Sequence, residues 1–146
     1  KMVIMATHLP LFFNVLQTVS VAYRSYMLAV KLCDDHYPEG LFWDTDAPYH
    51  YIRTLENDGQ KWLLVGGADH KTGHEDDTEM SYKHLEKYVR DRFNVASVDY
   101  RWSAQYYQPA DGLPYIGEHP NFPSAYFVLG FGGNGIVRIA CSAGSN

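Results

Sequence analysis

Between residues 21 and 32 the chain alternates in steps of two. Ala22, Arg24, Tyr26, Leu28 and Val30 fall on one side of an extended strand, and Tyr23, Ser25, Met27, Ala29 and Lys31 on the other, because successive strand side chains point to opposite faces. Further strand-like runs predict strands at Met2–Ala6 (buried), Leu41–Asp44, Tyr49–Glu56, Lys61–Gly67, Ser97–Gln108, Leu113–Gly117 and Tyr126–Leu129. Asn57-Asp-Gly-Gln60 separates two of these runs. Asp-Gly supplies the positive backbone angles of a tight reversal, so the flanking strands should pair as a hairpin. Pro10 and Asn14 predict a loop, as does Pro120–Pro123.

One segment carries a helical period instead. Tyr82, Leu85, Val89 and Phe93 recur on a single face, with Asp76 as the expected N-cap and Glu79 three residues on. These strands and one amphipathic helix predict an α+β layer, a mostly antiparallel sheet with the helix packed on one face.

Length and charge narrow the classes. A chain of 146 residues with 20% charged positions can bury one core. The net charge of −5 and the lack of any Lys/Arg cluster argue against nucleic acid as a partner. Met2–Val30 is apolar, yet His8, Pro10, Asn14, Gln17 and Arg24 interrupt it, so it reads neither as a targeting segment nor as a membrane span. Cys33 and Cys141 are too few and too distant for a disulfide framework or a zinc site, which fits a reducing cytoplasm. Twelve tyrosines suit a pleated half-buried surface, or an aromatic wall facing a ligand.

The densest chemistry lies near the C-terminus. An apolar strand, Tyr126–Leu129, runs into Gly130-Phe-Gly-Gly-Asn-Gly135 and then into the helix-compatible run Ile136–Ala143. Such a junction leaves backbone N–H groups unpaired at the positive end of a helix, and its glycines allow an electron-rich ligand close to the backbone. Tight packing is the plain alternative for the same glycines.

Asp111-Gly-Leu-Pro-Tyr-Ile-Gly117 together with Gly130-Phe-Gly-Gly-Asn-Gly-Ile136 resembles the C-terminal signature of the D-amino-acid oxidase-like flavoenzymes. Val3-Ile-Met-Ala-Thr-His8 is similar to the last strand of their FAD-binding domain, whose end lies near the adenine half of the cofactor. Gly40-Leu-Phe-Trp-Asp44, Tyr49-His-Tyr-Ile-Arg53, Leu64–Gly73 and Trp102-Ser-Ala-Gln105 resemble a bacterial subgroup that often carries a Rieske iron-sulfur domain.

The resemblance implies the substrate-binding part of an FAD-dependent oxidoreductase acting on a C–N or C–OH bond of a small anionic substrate. It implies cofactor contacts at Thr7, His8, Gly130, Gly132, Gly133, Asn134, Gly135 and Ile136. It also implies three parts: 1–20, a remnant of the FAD-binding domain; 21–117, the substrate-binding domain; and 118–146, a returning segment with the flavin-contacting turn. The Gly-x-Gly-x-x-Gly fingerprint of the dinucleotide site does not occur, nor do the Cys-His pairs of a Rieske cluster. The chain alone is therefore expected to be a fragment that binds no cofactor and is inactive. Its expected partners are the rest of the FAD-binding domain and a Rieske domain or other electron-transfer protein.

Amino-acid-oxidising relatives place a carboxylate-binding arginine where this chain has Tyr106. That departure weakens an α-amino-acid substrate and turns attention to Tyr49, Tyr51 and Arg53, which share a strand face by alternation. There Arg53 could grip an anionic group bidentately between tyrosine walls, or could simply be an exposed surface cation.

His70, His74, Glu75, Asp76 and Asp77 have metal-ligand chemistry at short spacing. Acids also gather at helix N-termini for electrostatic reasons, and no metal ligand is assigned. No catalytic residue is assigned either, since no Ser-His-Asp pattern is readable and flavin chemistry needs none. The reading from another class is a non-enzymatic α+β ligand-binding or interaction module.

Overall fold

The structure is a computed structural model, and it describes residues 1–8, 18–74 and 77–134. Eight strands occur among them: β1 Val3–Met5, β2 Ser20–Leu32, β3 Leu41–Trp43, β4 Tyr51–Asn57, β5 Gln60–Lys71, β6 Val95–Pro109, β7 Tyr115–Glu118 and β8 Ala125–Leu129. A single complete helix, α1, spans Thr78–Arg90 among the described residues. The result is a mostly antiparallel α+β fold, as the periodicity predicts. The loop expected around Pro10 and Asn14, the helix expected from Ile136, and Cys141 lie outside the described residues.

Two compact units divide the chain: 24–105, and 1–23 together with 106–146. The larger unit is built on the sheet ordered β3-β4-β5-β2-β6. Its hairpin is the one that Asp58-Gly59 predicts, with Asn57 opposite Gln60 and positive φ at both Asp58 (49°) and Gly59 (72°). The even positions of β2 form the core side: Tyr26, Leu28 and Val30 are fully buried with Ile52, Leu63 and Val65 of β4 and β5, and with Leu85 and Val89 of α1. Tyr82, Tyr88 and Phe93 pack against that cluster.

Three expectations need correction. Asp77, not Asp76, caps the helix: its side chain accepts from the Glu79 N–H, which places Glu79 one residue too early for a capping box. β5 does not stop at Gly67 but continues to Lys71, with Gly67 (φ 141°) and Ala68 (φ 54°) in unusual backbone conformations inside it. β1 is an exposed edge, with Met2, Val3 and Ile4 more than half accessible, although its apolar run predicts burial.

The smaller unit carries the sheet β1-β8-β7. β7 and β8 run antiparallel, with Tyr115 opposite Leu129. β1 runs parallel to β8, with Val3, Ile4 and Met5 opposite Ala125, Tyr126 and Phe127. Alternate residues of β8, namely Ala125, Phe127 and Leu129, are buried.

Candidate functional site

Parallel pairing makes β1 and β8 end on the same edge, so the segments leaving them meet there. Ligands of sheets with parallel strands gather at such carboxyl ends, where loop backbone is free to turn toward them. Here Ala6 and His8 leave β1, Gly130, Phe131 and Gly132 leave β8, and Tyr107 of β6 joins them around a cleft of about 230 Å³. Thr7 lies between two of the lining residues. His8 meets Tyr107 edge to face, ring centres 5.1 Å apart, and holds a left-handed backbone (φ 67°).

The two described positive-φ glycines of the turn differ in kind. Gly130 (φ 75°) is a packing glycine, since a Cβ there would stand 2.7 Å from Pro109 Cγ. Gly132 (φ 61°) faces open space, with nothing within 4 Å of where a Cβ would be. It begins a short 3-10 turn, Gly132–Asn134, that contains the exposed Gly133. An open backbone beside an apolar cleft fits the edge of a planar cofactor. The volume is below the roughly 300–1,000 Å³ of sites that enclose a whole small molecule, so the cleft suits only part of a dinucleotide. Gly135, Ile136 and the side chain of Asn134 lie outside the described residues.

In the larger unit, Tyr49 and Tyr51 come together, ring centres 6.0 Å apart. Tyr51 lies across from Gly66. Burial raises the Tyr51 phenol above its ordinary pKa; a Ser25 hydrogen bond and the Arg53 charge oppose the rise, while Asp69 adds to it. Burial likewise raises Tyr49, with Asp69 next in effect. Both hydroxyls therefore remain protonated donors at neutral pH. Arg53 is exposed at the next position on the Tyr51 side of β4. Tyr106 lies in the smaller unit, stacked on Tyr23 at 5.6 Å. Its neighbour Tyr107, not Tyr106, lines the cleft.

Most of the polar stretch His70–Asp77 has structural work where it is described. The His70 ring contacts the Tyr26 hydroxyl (2.8 Å) and the Lys71 carbonyl (3.0 Å), and Asp77 caps α1. Glu75 and Asp76 lie outside the described residues. A different polar cluster escapes the sequence reading. Asp44 accepts from the His50 backbone N–H (2.7 Å) and contacts its ring Nδ1 (2.9 Å), closing the loop between β3 and β4. Burial would raise the Asp44 carboxyl, but bonds from the His50 backbone and ring and from the Tyr88 hydroxyl outweigh it and hold its pKa at about 2. The His50 ring stacks on Tyr88 at 3.8 Å. Asp-x-Asp-x-x-x-His was the available signal.

The model of the DAO family, FAD dependent oxidoreductase, matches residues 3–143, and the chain belongs to that family. A Bacillus subtilis (strain 168) protein described as a Rieske 2Fe-2S iron-sulfur protein, YhfW, is 34% identical over 94 residues, covering 64% of this chain and 18% of the relative. Two solved structures share the fold. Glycine oxidase from Geobacillus kaustophilus superposes with a TM-score of 0.56 at 21% identity, over 82% of this chain and 32% of that one. Glycine oxidase from Bacillus cereus ATCC 14579 gives 0.54 at 16%, over 81% and 32%. The chain thus spans less than a fifth of the curated relative it matches and about a third of each of these structures. Among the described residues no helix is long and apolar enough to cross a membrane.

Proposed function

We propose that this chain is the substrate-binding part of an FAD-dependent oxidoreductase that oxidises a C–N or C–OH bond of a small anionic substrate. The observation that carries the reading is the cleft where β1 and β8 end together, bordered by His8 and the open backbone of Gly132. Thr7, His8, Gly130, Gly132, Gly133, Asn134, Gly135 and Ile136 would contact FAD, the glycine turn at the flavin, while the rest of the longer protein would hold its pyrophosphate and most of its adenine half. When bound, FAD supplies the two-electron acceptor for the oxidation, and the protein contributes binding and orientation. Residues 1–20 would complete the FAD-binding domain, 21–117 bind substrate, and 118–146 return to the flavin.

Tyr49, Tyr51, Arg53 and Tyr106 are the proposed substrate contacts. Arg53 would pair with the anionic group, and the tyrosines would form apolar walls with protonated hydroxyl tips. The Rieske description of the Bacillus subtilis relative supports a Rieske domain or similar protein as electron-transfer partner; the proposed setting, a reducing cytoplasm, rests on the low cysteine content alone. The test is a visible absorption spectrum of the full-length protein, followed by its bleaching under anaerobic conditions by small anionic amines and hydroxy acids. Stoichiometric flavin, reduced by at least one such compound, is expected; a flavin-free full-length protein refutes the reading.

A further inference from the structure

The loop between β3 and β4 gathers donors that the flavin reading does not use. One ligand atom from each of Asp44, Asp46 and His50 lies within 4.8 Å of the other two. The loop is built to hold them. The Asp44 N–H donates to the His50 carbonyl at 3.0 Å, while Asp44 Oδ1 accepts from the N–H groups of His50 (2.7 Å) and Asp46 (3.4 Å). The imidazole is fixed by its stack on Tyr88. Asp46 and His50 border a cleft of about 550 Å³ whose other polar walls include Asp69, His70 and His84.

We propose that Asp44, Asp46 and His50 bind a first-row divalent cation of the zinc type. One imidazole with two carboxylates suits such an ion better than calcium or magnesium, which take oxygen ligands. The 2.9 Å between Asp44 Oδ2 and His50 Nδ1 is already near the separation of neighbouring ligands, about 3.0–3.5 Å, set by bonds of about 2.0–2.2 Å to one ion. Only Asp46, exposed and at the tip of the loop, has to swing inward. The ion takes the place of the hydrogen now shared by Asp44 and His50. Among the described residues no Lys or Arg forms an ion pair with Asp44 or Asp46, and the Arg92 guanidinium lies over the Tyr88 ring at 3.8 Å, so the loop sets two acids against one imidazole. Three protein ligands leave the fourth position of a tetrahedral ion open to water or a small ligand.

Zinc alone is the probe, titrated by calorimetry into the full-length protein, the Asp46→Ala and His84→Ala variants, with circular dichroism confirming that each variant folds. The wild type should bind one zinc ion more than Asp46→Ala, or bind it at least tenfold more tightly. Retention in His84→Ala supports the three-residue site; loss in both variants also supports it, with His84 as a fourth ligand. Equal binding by wild type and Asp46→Ala overturns the proposal. So does a wild type that takes no zinc, or loss in His84→Ala alone. The readout is independent of flavin content, so failure here leaves the flavin reading untouched.

Discussion

The ring of Tyr51 occupies the space that a side chain on Gly66 would need. The two residues face each other across β4 and β5, and a Cβ on Gly66 would overlap the end of the phenol ring, including its hydroxyl. Gly66 lets an aromatic lie flat over the neighbouring strand, which fixes Tyr51 beside Tyr49 and leaves Arg53 on the same side of β4.

Gly66→Ala should therefore displace Tyr51 and overpack the sheet, costing about 1–3 kcal/mol. Urea unfolding of the variant checks the cost. A paired Gly66→Ala, Tyr51→Ala variant should recover part of the loss, because the clash disappears with the ring. Additive losses in the double variant would show that the ring has another place to go.

Gly132 and Gly130 should respond differently to substitution, since only Gly132 has empty space before it. Gly132→Val should cost modest stability through its left-handed backbone, about 1–2 kcal/mol, and strip flavin from the full-length protein by filling the cleft. Gly130→Ala should lower the melting temperature instead, through contact with Pro109. Wild-type flavin content in Gly132→Val would move the cofactor away from this turn.

Much of this fold is legible from alternation, because β8 buries every second residue and β2 buries Tyr26, Leu28 and Val30 on one side, with Ala29 the buried residue of the other. The hairpin is legible because only a few dipeptides suit two successive positive φ angles. Burial of β1 is misread because Val3 and Ile4 lie on a sheet edge, and apolar composition does not tell an edge from a core. The helix cap is misread by one residue because Asp76 and Asp77 are chemically equal candidates. The glycines and His8 of the cleft stand out in sequence. Tyr107 does not, since its place at the cleft comes from tertiary contact and not from the period of its strand. The Asp44–His50 contact is marked in sequence only by the Asp-x-Asp-x-x-x-His spacing, as loop closure and not periodicity brings the two together.

Asp44 should make folding sensitive to acid. Its carboxyl titrates near 3.8 in the open chain and at about 2 when folded. A lowered folded pKa contributes stability that is complete above about pH 4 and is lost as pH falls through about 2. With its side chain 24% accessible, the contribution is about 1–2 kcal/mol. In chelator-treated protein, Asp44→Asn should be less stable than wild type by about that amount at pH 6, and the gap should close toward pH 2. A gap independent of pH would mean that the loop geometry, not the charge, is what Asp44 contributes.

Arg53 is the proposed anion grip, and its exposure on β4 makes it a clean test because few internal contacts are at stake. Arg53→Met keeps much of the side chain's length and removes its charge and donors. Losing one or two charge-assisted hydrogen bonds should lower kcat/KM by roughly ten- to a hundredfold, mainly through KM if the grip serves substrate and transition state alike. Flavin content should stay at the wild-type level, since the cleft proposed for the cofactor is formed by other residues. Arg53→Lys should recover only part of the loss, because an ammonium group cannot make the parallel pair of bonds that a guanidinium gives a carboxylate or phosphate. Unchanged kcat/KM in Arg53→Met would make Arg53 a surface cation and direct the search for the anion's partner to the opposite side of β4.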